Sequence, residues 1–166
     1  MTINFDKFYT TKEELETLDR TNPFNVVAVF ANISVSYDIN NDANFIDMLQ
    51  YLMGDNQPIS NLMRQQIKDR MTQNGKYEFI GKSYFNGATP ENDYTPSIPY
   101  TIEVTENDYS RQEEGYVRLF LKSGGADSPR PITVRLAKDG NYYIWSDSFM
   151  GILSDIRPIK SINPWA

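Results

Sequence analysis

At 166 residues the chain is long enough to bury a core of its own, and it contains neither cysteine nor histidine. Disulfides, a zinc centre built on thiolate or imidazole, a thiol nucleophile and any histidine triad or general base are thereby excluded, so catalysis would have to use carboxylates, Lys, Tyr or Ser. A hydrophobic share of 40% and a charged share of 23% are those of an ordinary globular protein, and a net charge of -6 repels phosphate backbones, so nucleic acid is not expected as a partner.

The first half reads as helices. Thr11-Lys12-Glu13-Glu14 has the pattern of a capping box ahead of Leu15 and Leu18. Asn22-Pro23 opens a second helix, Asn as cap and Pro in the first turn. From Phe24 to Tyr37 the β-branched content favours a strand, but Val26, Val29, Phe30, Ile33 and Tyr37 recur at helical spacing over more residues than a strand uses, and a helix is expected. A third helix spans Asp42 to Met53, with Phe45, Met48, Leu49 and Leu52 on one face and Gly54 as its stop. A fourth starts at the Ser60 cap, carries Leu62, Met63, Ile67 and Met71, and ends at Asn74-Gly75. Arg64, Lys68 and Arg70 lie along it with Asp69 among them, as on a solvated helix face.

From Tyr77 the pattern turns aromatic, β-branched and alternating. Asn86 to Pro99 reads as a long irregular surface segment with three prolines. Strands are expected over Tyr100–Thr105, Gly115–Ser123, Ile132–Ala137 and Tyr142–Trp145, with Lys138-Asp139-Gly140-Asn141 as a tight hairpin. The sum is one α+β domain over residues 1–166, with about four N-terminal helices packed on a C-terminal antiparallel, meander-like sheet of about four or more strands. Glu-Asn-Asp-Tyr occurs at Glu91–Tyr94 and at Glu106–Tyr109 without repeating flanks, which marks two turns rather than a duplication. No apolar run approaches the roughly 20 residues that span a bilayer, and Met1 to Asp6 lacks a basic region followed by an apolar one, so a cytoplasmic protein without membrane contact is expected.

Few constellations carry chemistry. Asp38-Ile39-Asn40-Asn41-Asp42 begins like a calcium loop, but Ala43 and Leu49 stand where the glycine and the bidentate glutamate are required, which leaves a polar turn and no metal site. Any of the 22 acids can be paired on paper as a catalytic acid and base, and none is singled out by spacing. The most distinctive segment is Ser123 to Pro131, a longer connection than a hairpin needs. Gly124 and Gly125 offer consecutive amides to an anion, and Arg130 adds a fork of donors for carboxylate or phosphate. Alternatively Asp127 and Arg130 brace the turn internally, and both readings stand at this point. In the last strand Tyr143 and Trp145 share the face opposite Tyr142 and Ile144. That second aromatic face requires a cover: the proline-rich segment, the C-terminal Ile162-Asn163-Pro164-Trp165-Ala166, or a partner.

The strings Ser83-Tyr84-Phe85-Asn86-Gly87-Ala88-Thr89-Pro90-Glu91-Asn92, Tyr94-Thr95-Pro96, Pro99-Tyr100, Ser123 to Pro131, Trp145, Ser154-Asp155-Ile156-Arg157 and Asn163-Pro164-Trp165 resemble an uncharacterised family, a domain of unknown function of Firmicutes-type gut bacteria. The resemblance covers most of the chain from Asn22 onward and brings no activity or functional residue with it. Helices followed by a curved meander also resemble nuclear-transport-factor-2-like (cystatin-like) cones, apart from the run of helices before the first clear strand. Such cones host enzymes, ligand-binding domains and adaptors alike, so that likeness implies no function.

The reading that follows is a bacterial binding domain without catalytic activity or cofactor, which takes a protein partner or a small anionic ligand. Its candidate site joins Gly124, Gly125, Asp127 and Arg130 to the Asn86–Pro99 segment, because long ordered connections tend to carry function. The alternatives are a small hydrolase or isomerase using Asp, Arg and Tyr in a cone-shaped pocket, and an accessory protein of immunity type whose acidity fits a basic partner.

Overall fold

The computed structural model of the chain describes residues 1–73 and 75–165. Asn22 caps α1 (Pro23–Ser34), its side-chain oxygen accepting from the Phe24 amide at 2.9 Å. In α2 (Ala43–Met53) Phe45, Met48, Leu49 and Leu52 form the buried face, and Gly54 ends the helix at φ +82. Ser60 caps α3 (Asn61–Thr72) by accepting from the Met63 amide at 3.0 Å. Ile67 and Met71 face inward there, while Leu62 is 68% exposed and takes no part in the core. Of the expected stop at Asn74-Gly75, Asn74 lies outside the described residues and Gly75 sits at φ +67. A single further turn, α4 (Tyr77–Ile80), follows.

The helix expected after Thr11 is only a 3-10 turn, Lys12–Leu15. The capping pattern is real, since Glu14 accepts from the Thr10 and Thr11 amides at 2.9 and 3.0 Å. Leu15 is the turn's single buried residue, too little apolar surface to extend a nucleus into a helix.

Five antiparallel strands form one sheet in the order β1 (Thr2–Phe5), β2 (Tyr100–Thr105), β3 (Tyr116–Leu121), β4 (Arg130–Leu136), β5 (Tyr142–Ile144). The class is α+β, with helices mostly N-terminal and strands mostly C-terminal. β1 was not expected. It is short, and its pairing with β2 (Ile3 opposite Ile102) joins segments far apart in the chain. The Asp139-Gly140 signal does mark the hairpin between β4 and β5, with Gly140 at φ +85.

α1 is the hub of the core. Val26 to Ala31 and Ile33 are fully buried around its whole circumference, because the sheet lies on one side and α2 on the other. Phe30 meets Phe45 at 6.4 Å and Phe149 at 5.3 Å between ring centroids. Val117, Leu119 and Leu121 of β3 point to this core, and so do Ile132, Val134 and Ile144. Where β5 is too short to pair with β4, the 3-10 helix Ser148–Leu153 takes its place, the Ser148 hydroxyl donating to the Thr133 carbonyl at 3.0 Å. Gln57 seals the edge of β5 through the Ile144 carbonyl and the Ser146 amide.

Candidate functional site

The Ser123 to Pro131 connection and the Asn86–Pro99 segment do meet. The Gly124 amide donates to the Ser83 carbonyl at 2.8 Å, and the Ser123 hydroxyl donates to that of Ser83 at 2.8 Å. Close approach explains both glycines: an added Cβ would lie 2.0 Å from the Ala88 carbonyl oxygen at Gly124, and 2.4 Å from the Tyr94 hydroxyl at Gly125. The Asn86–Pro99 segment is therefore more than a surface excursion, since Tyr94 is fully buried and Ala88 nearly so. Its Tyr94 ring anchors it, with the hydroxyl donating to the Arg157 carbonyl.

The donors of this junction are engaged within the chain. Gly124 serves Ser83, and the Gly125 amide serves the Ser123 hydroxyl at 3.1 Å. The Arg130 guanidinium donates to the Tyr84 hydroxyl at 3.0 Å, to the Ser154 carbonyl at 2.9 Å and to the Asp155 carbonyl. Tyr84 in turn donates to the Ile152 carbonyl, and burial pushes its pKa up to about 12, so it stays a neutral phenol. Asp127 does not pair with Arg130. Its partner is Arg157, at 2.8 Å, and its side chain is 96% exposed. The pairing differs from the expected brace because Arg130 turns inward to carbonyls, leaving the rim of the loop to Asp127. Ser83, Tyr84, Ser154, Asp155 and Arg157 were not assigned to the site from sequence, although the strings containing them are those that carry the family resemblance. In three dimensions these strings form one polar knot.

A second feature lies on the sheet face opposite the helices. Alternation sends Tyr116, Arg118 and Phe120 of β3 outward, and the register places Tyr116 beside Arg135 and Arg135 beside Tyr143. Trp145 joins them, its amide donating to the Thr133 carbonyl at 2.9 Å. Arg20 crosses the end of the row, 4.3 Å from the Tyr51 centroid and 5.0 Å from that of Tyr143. All of these side chains keep contact with solvent. The C-terminal segment does not cover them: Lys160 and Ser161 bind Pro90, Glu91 and Asp93, and Trp165 is 91% exposed. Ala166 lies outside the described residues. Along its edge the face opens into a cleft of about 750 Å³ between the β4–β5 hairpin and the turn at Gly54 to Gln57.

The Asp38 to Asp42 segment is a turn, Asp38 accepting from the Asn40 amide at 2.9 Å and Asp42 pairing with Arg64, whose guanidinium holds the Asp42 carboxyl below its usual range. Among the described residues no helix is long and apolar enough to cross a membrane.

No curated protein and no solved structure matches the chain. Residues 5–160 match the family described as Domain of unknown function (DUF6935), a span that contains both the polar knot and the outer sheet face, and the chain belongs to that family.

Proposed function

We propose that this chain is a non-catalytic domain that binds a ligand or a protein partner, and that it does so on the outer face of its sheet. The observation that carries the reading is the row of Tyr116, Arg118, Phe120, Arg135, Tyr143 and Trp145, each of which keeps contact with solvent although Arg20 and the turn at Gly54 pack against Tyr143, while the opposite face is buried under α1. Aromatic and arginine side chains together are the composition of binding hot spots. The knot of Gly124, Gly125 and Arg130 acts in this reading as a brace, its donors being occupied, and Asp127 with Arg157 forms its solvated rim. A cytoplasmic location belongs to the same proposal and is checked by cell fractionation.

The enzymatic alternative asks for a carboxyl raised in pKa inside a deep pocket. Among the described residues the displaced carboxyls, Glu14, Asp19, Asp42, Glu91, Glu103 and Asp139, all move down, each held by hydrogen-bond donors or a cation. Selection of phage-displayed peptides on the folded protein tests the binding reading. A common sequence should be enriched on the wild type and lost on a Tyr116→Ser/Trp145→Ser variant of unchanged melting temperature. Failure to enrich any sequence, or enrichment that survives the double substitution, would sink it.

A further inference from the structure

Arg135 stands at the centre of the outer face with its guanidinium 4.5 Å from the Trp145 centroid and 5.0 Å from that of Tyr116. The two rings meet edge to face at 5.5 Å, so the three side chains hold one another in place. Contact with the rings gives the guanidinium no hydrogen-bond acceptor, and its N–H donors still require one. Among the described residues Arg135 has neither an ion pair nor a side-chain hydrogen bond, and the same is true of Lys138 on the hairpin and of the Trp145 indole N–H. Of the side-chain acceptors in the cleft, Asp139 takes the Tyr143 hydroxyl at 2.5 Å and the Asn141 amide at 2.9 Å, and the Gln57 oxygen takes the Ser146 amide at 2.7 Å, whereas Asp55 on the facing turn has no partner among the described residues. A chain of net charge -6 thus brings unspent donors together on the hairpin wall of the cleft, two of them the cations Arg135 and Lys138, while Asp55 stands on the turn opposite.

We propose that this cleft binds an extended acidic segment of a partner protein, with Arg135 gripping one carboxylate through paired N–H donors. This rests on the reading of the outer face as the binding surface and adds to it the chemistry of the partner. Lys138 supplies the second cation, and the walls of Tyr143 and Trp145 cover the aliphatic part of the bound side chain. The inference reverses the basic partner that overall acidity pointed to, because recognition is set by the charge at the contact rather than by the sum over the chain. A cleft of about 750 Å³ has room for several residues, more than a lone anion needs. A nucleic acid fits less well, because its continuous charge would run past the cleft onto the remainder of a chain whose net charge is -6.

The test is fluorescence anisotropy with three labelled probes: a peptide of alternating Glu and Val, its Gln-for-Glu counterpart, and an oligothymidylate of equal charge. The Glu peptide should bind about ten-fold or more tightly than the Gln peptide, and weaken as salt rises to about 0.3 M. Arg135→Gln should remove about ten-fold of that affinity, the loss of one charge-assisted pair, without lowering the melting temperature. Equal binding of the Glu and Gln peptides, binding of neither, preference for the oligonucleotide, or indifference to Arg135→Gln each overturns the proposal. If the phage selection still yields a neutral or basic sequence that depends on Tyr116 and Trp145, the acidic segment is wrong and the binding face survives.

Discussion

Gly124, Gly125 and Gly151 show how differently one residue type is used. At Gly124 an alanine methyl would meet backbone, the Ala88 carbonyl oxygen at 2.0 Å, and at Gly125 it would press on Tyr94 and Ile156. Gly124→Ala is expected to cost about 3 kcal/mol as an overpacked site. Gly151 has ordinary φ and nothing nearer than 4.0 Å, so Gly151→Ala should stabilise by about 0.5 kcal/mol through the unfolded chain. Urea unfolding of both variants gives the comparison, and equal midpoints would contradict the packing described for Gly124. Arg130 and Asp127 make a second contrast. Arg130→Ala deprives two carbonyls and the buried Tyr84 hydroxyl of their donor and should cost about 2–3 kcal/mol. Asp127→Ala removes one half of a solvated pair and should stay within about 0.5 kcal/mol. The two copies of Glu-Asn-Asp-Tyr make the same point: both are turns, yet Tyr94 is fully buried and Tyr109 is 70% exposed. Nothing in four residues distinguishes them, because burial is decided by what packs above.

At the scale of elements, α1 depends on more than its apolar sides. Asn32 is buried within it, accepts from the Tyr9 amide at 2.8 Å and donates to the Lys7 carbonyl at 3.0 Å, and so pins the segment after β1 to the hub helix. Asn32→Leu leaves both backbone groups without partners, and a loss of about 2–4 kcal/mol is expected in denaturant titration. Amide exchange should rise first around Lys7 to Tyr9, and uniform exchange across the chain would contradict the pinning role. Periodicity and caps made α1, α2 and α3 legible, since Asn22 and Ser60 act locally and the apolar spacing is carried by a dozen residues at a time. β1 and α4 were not legible, each having only 4 residues and a reason to form that lies elsewhere in the chain.

For the whole molecule, burial and local bonding set both ends of the pH range. Burial is the first cause that holds the Tyr37, Tyr84 and Tyr94 hydroxyls at a pKa of about 12 against an ordinary 10.0. The unfolded chain therefore releases these protons first, and their stabilisation, complete below pH 10, is lost as pH climbs from there through 12. Lys7 beside Glu14, with the Thr10 amide next in weight, lowers that carboxyl from 4.5 to about 2. Its contribution is present above the unfolded value and fades as pH falls toward the folded one. Glu14→Gln should accordingly flatten the loss of melting temperature between pH 4.5 and pH 2, while leaving the alkaline limb unchanged. An acid limb identical to the wild type would contradict the assigned bonding of Glu14.

The sequence by itself determined the α+β class, the helices α1, α2 and α3, four of the five strands, the hairpin at Asp139-Gly140 and the family, because each depends on residues near one another in the chain or on strings read directly. It also placed Tyr143 and Trp145 on one face, since alternation along a strand is local. Only the tertiary structure decided that Arg130 turns inward to the Tyr84 hydroxyl and the Ser154 and Asp155 carbonyls, that Asp127 goes to Arg157, and that Arg135 lies between Tyr116 and Trp145. The physical reason is common to all three. A side chain's partner is fixed by which distant strands and turns the core brings within about 3–5 Å of it, the range of hydrogen bonds and ring contacts, and chain order carries no record of that distance.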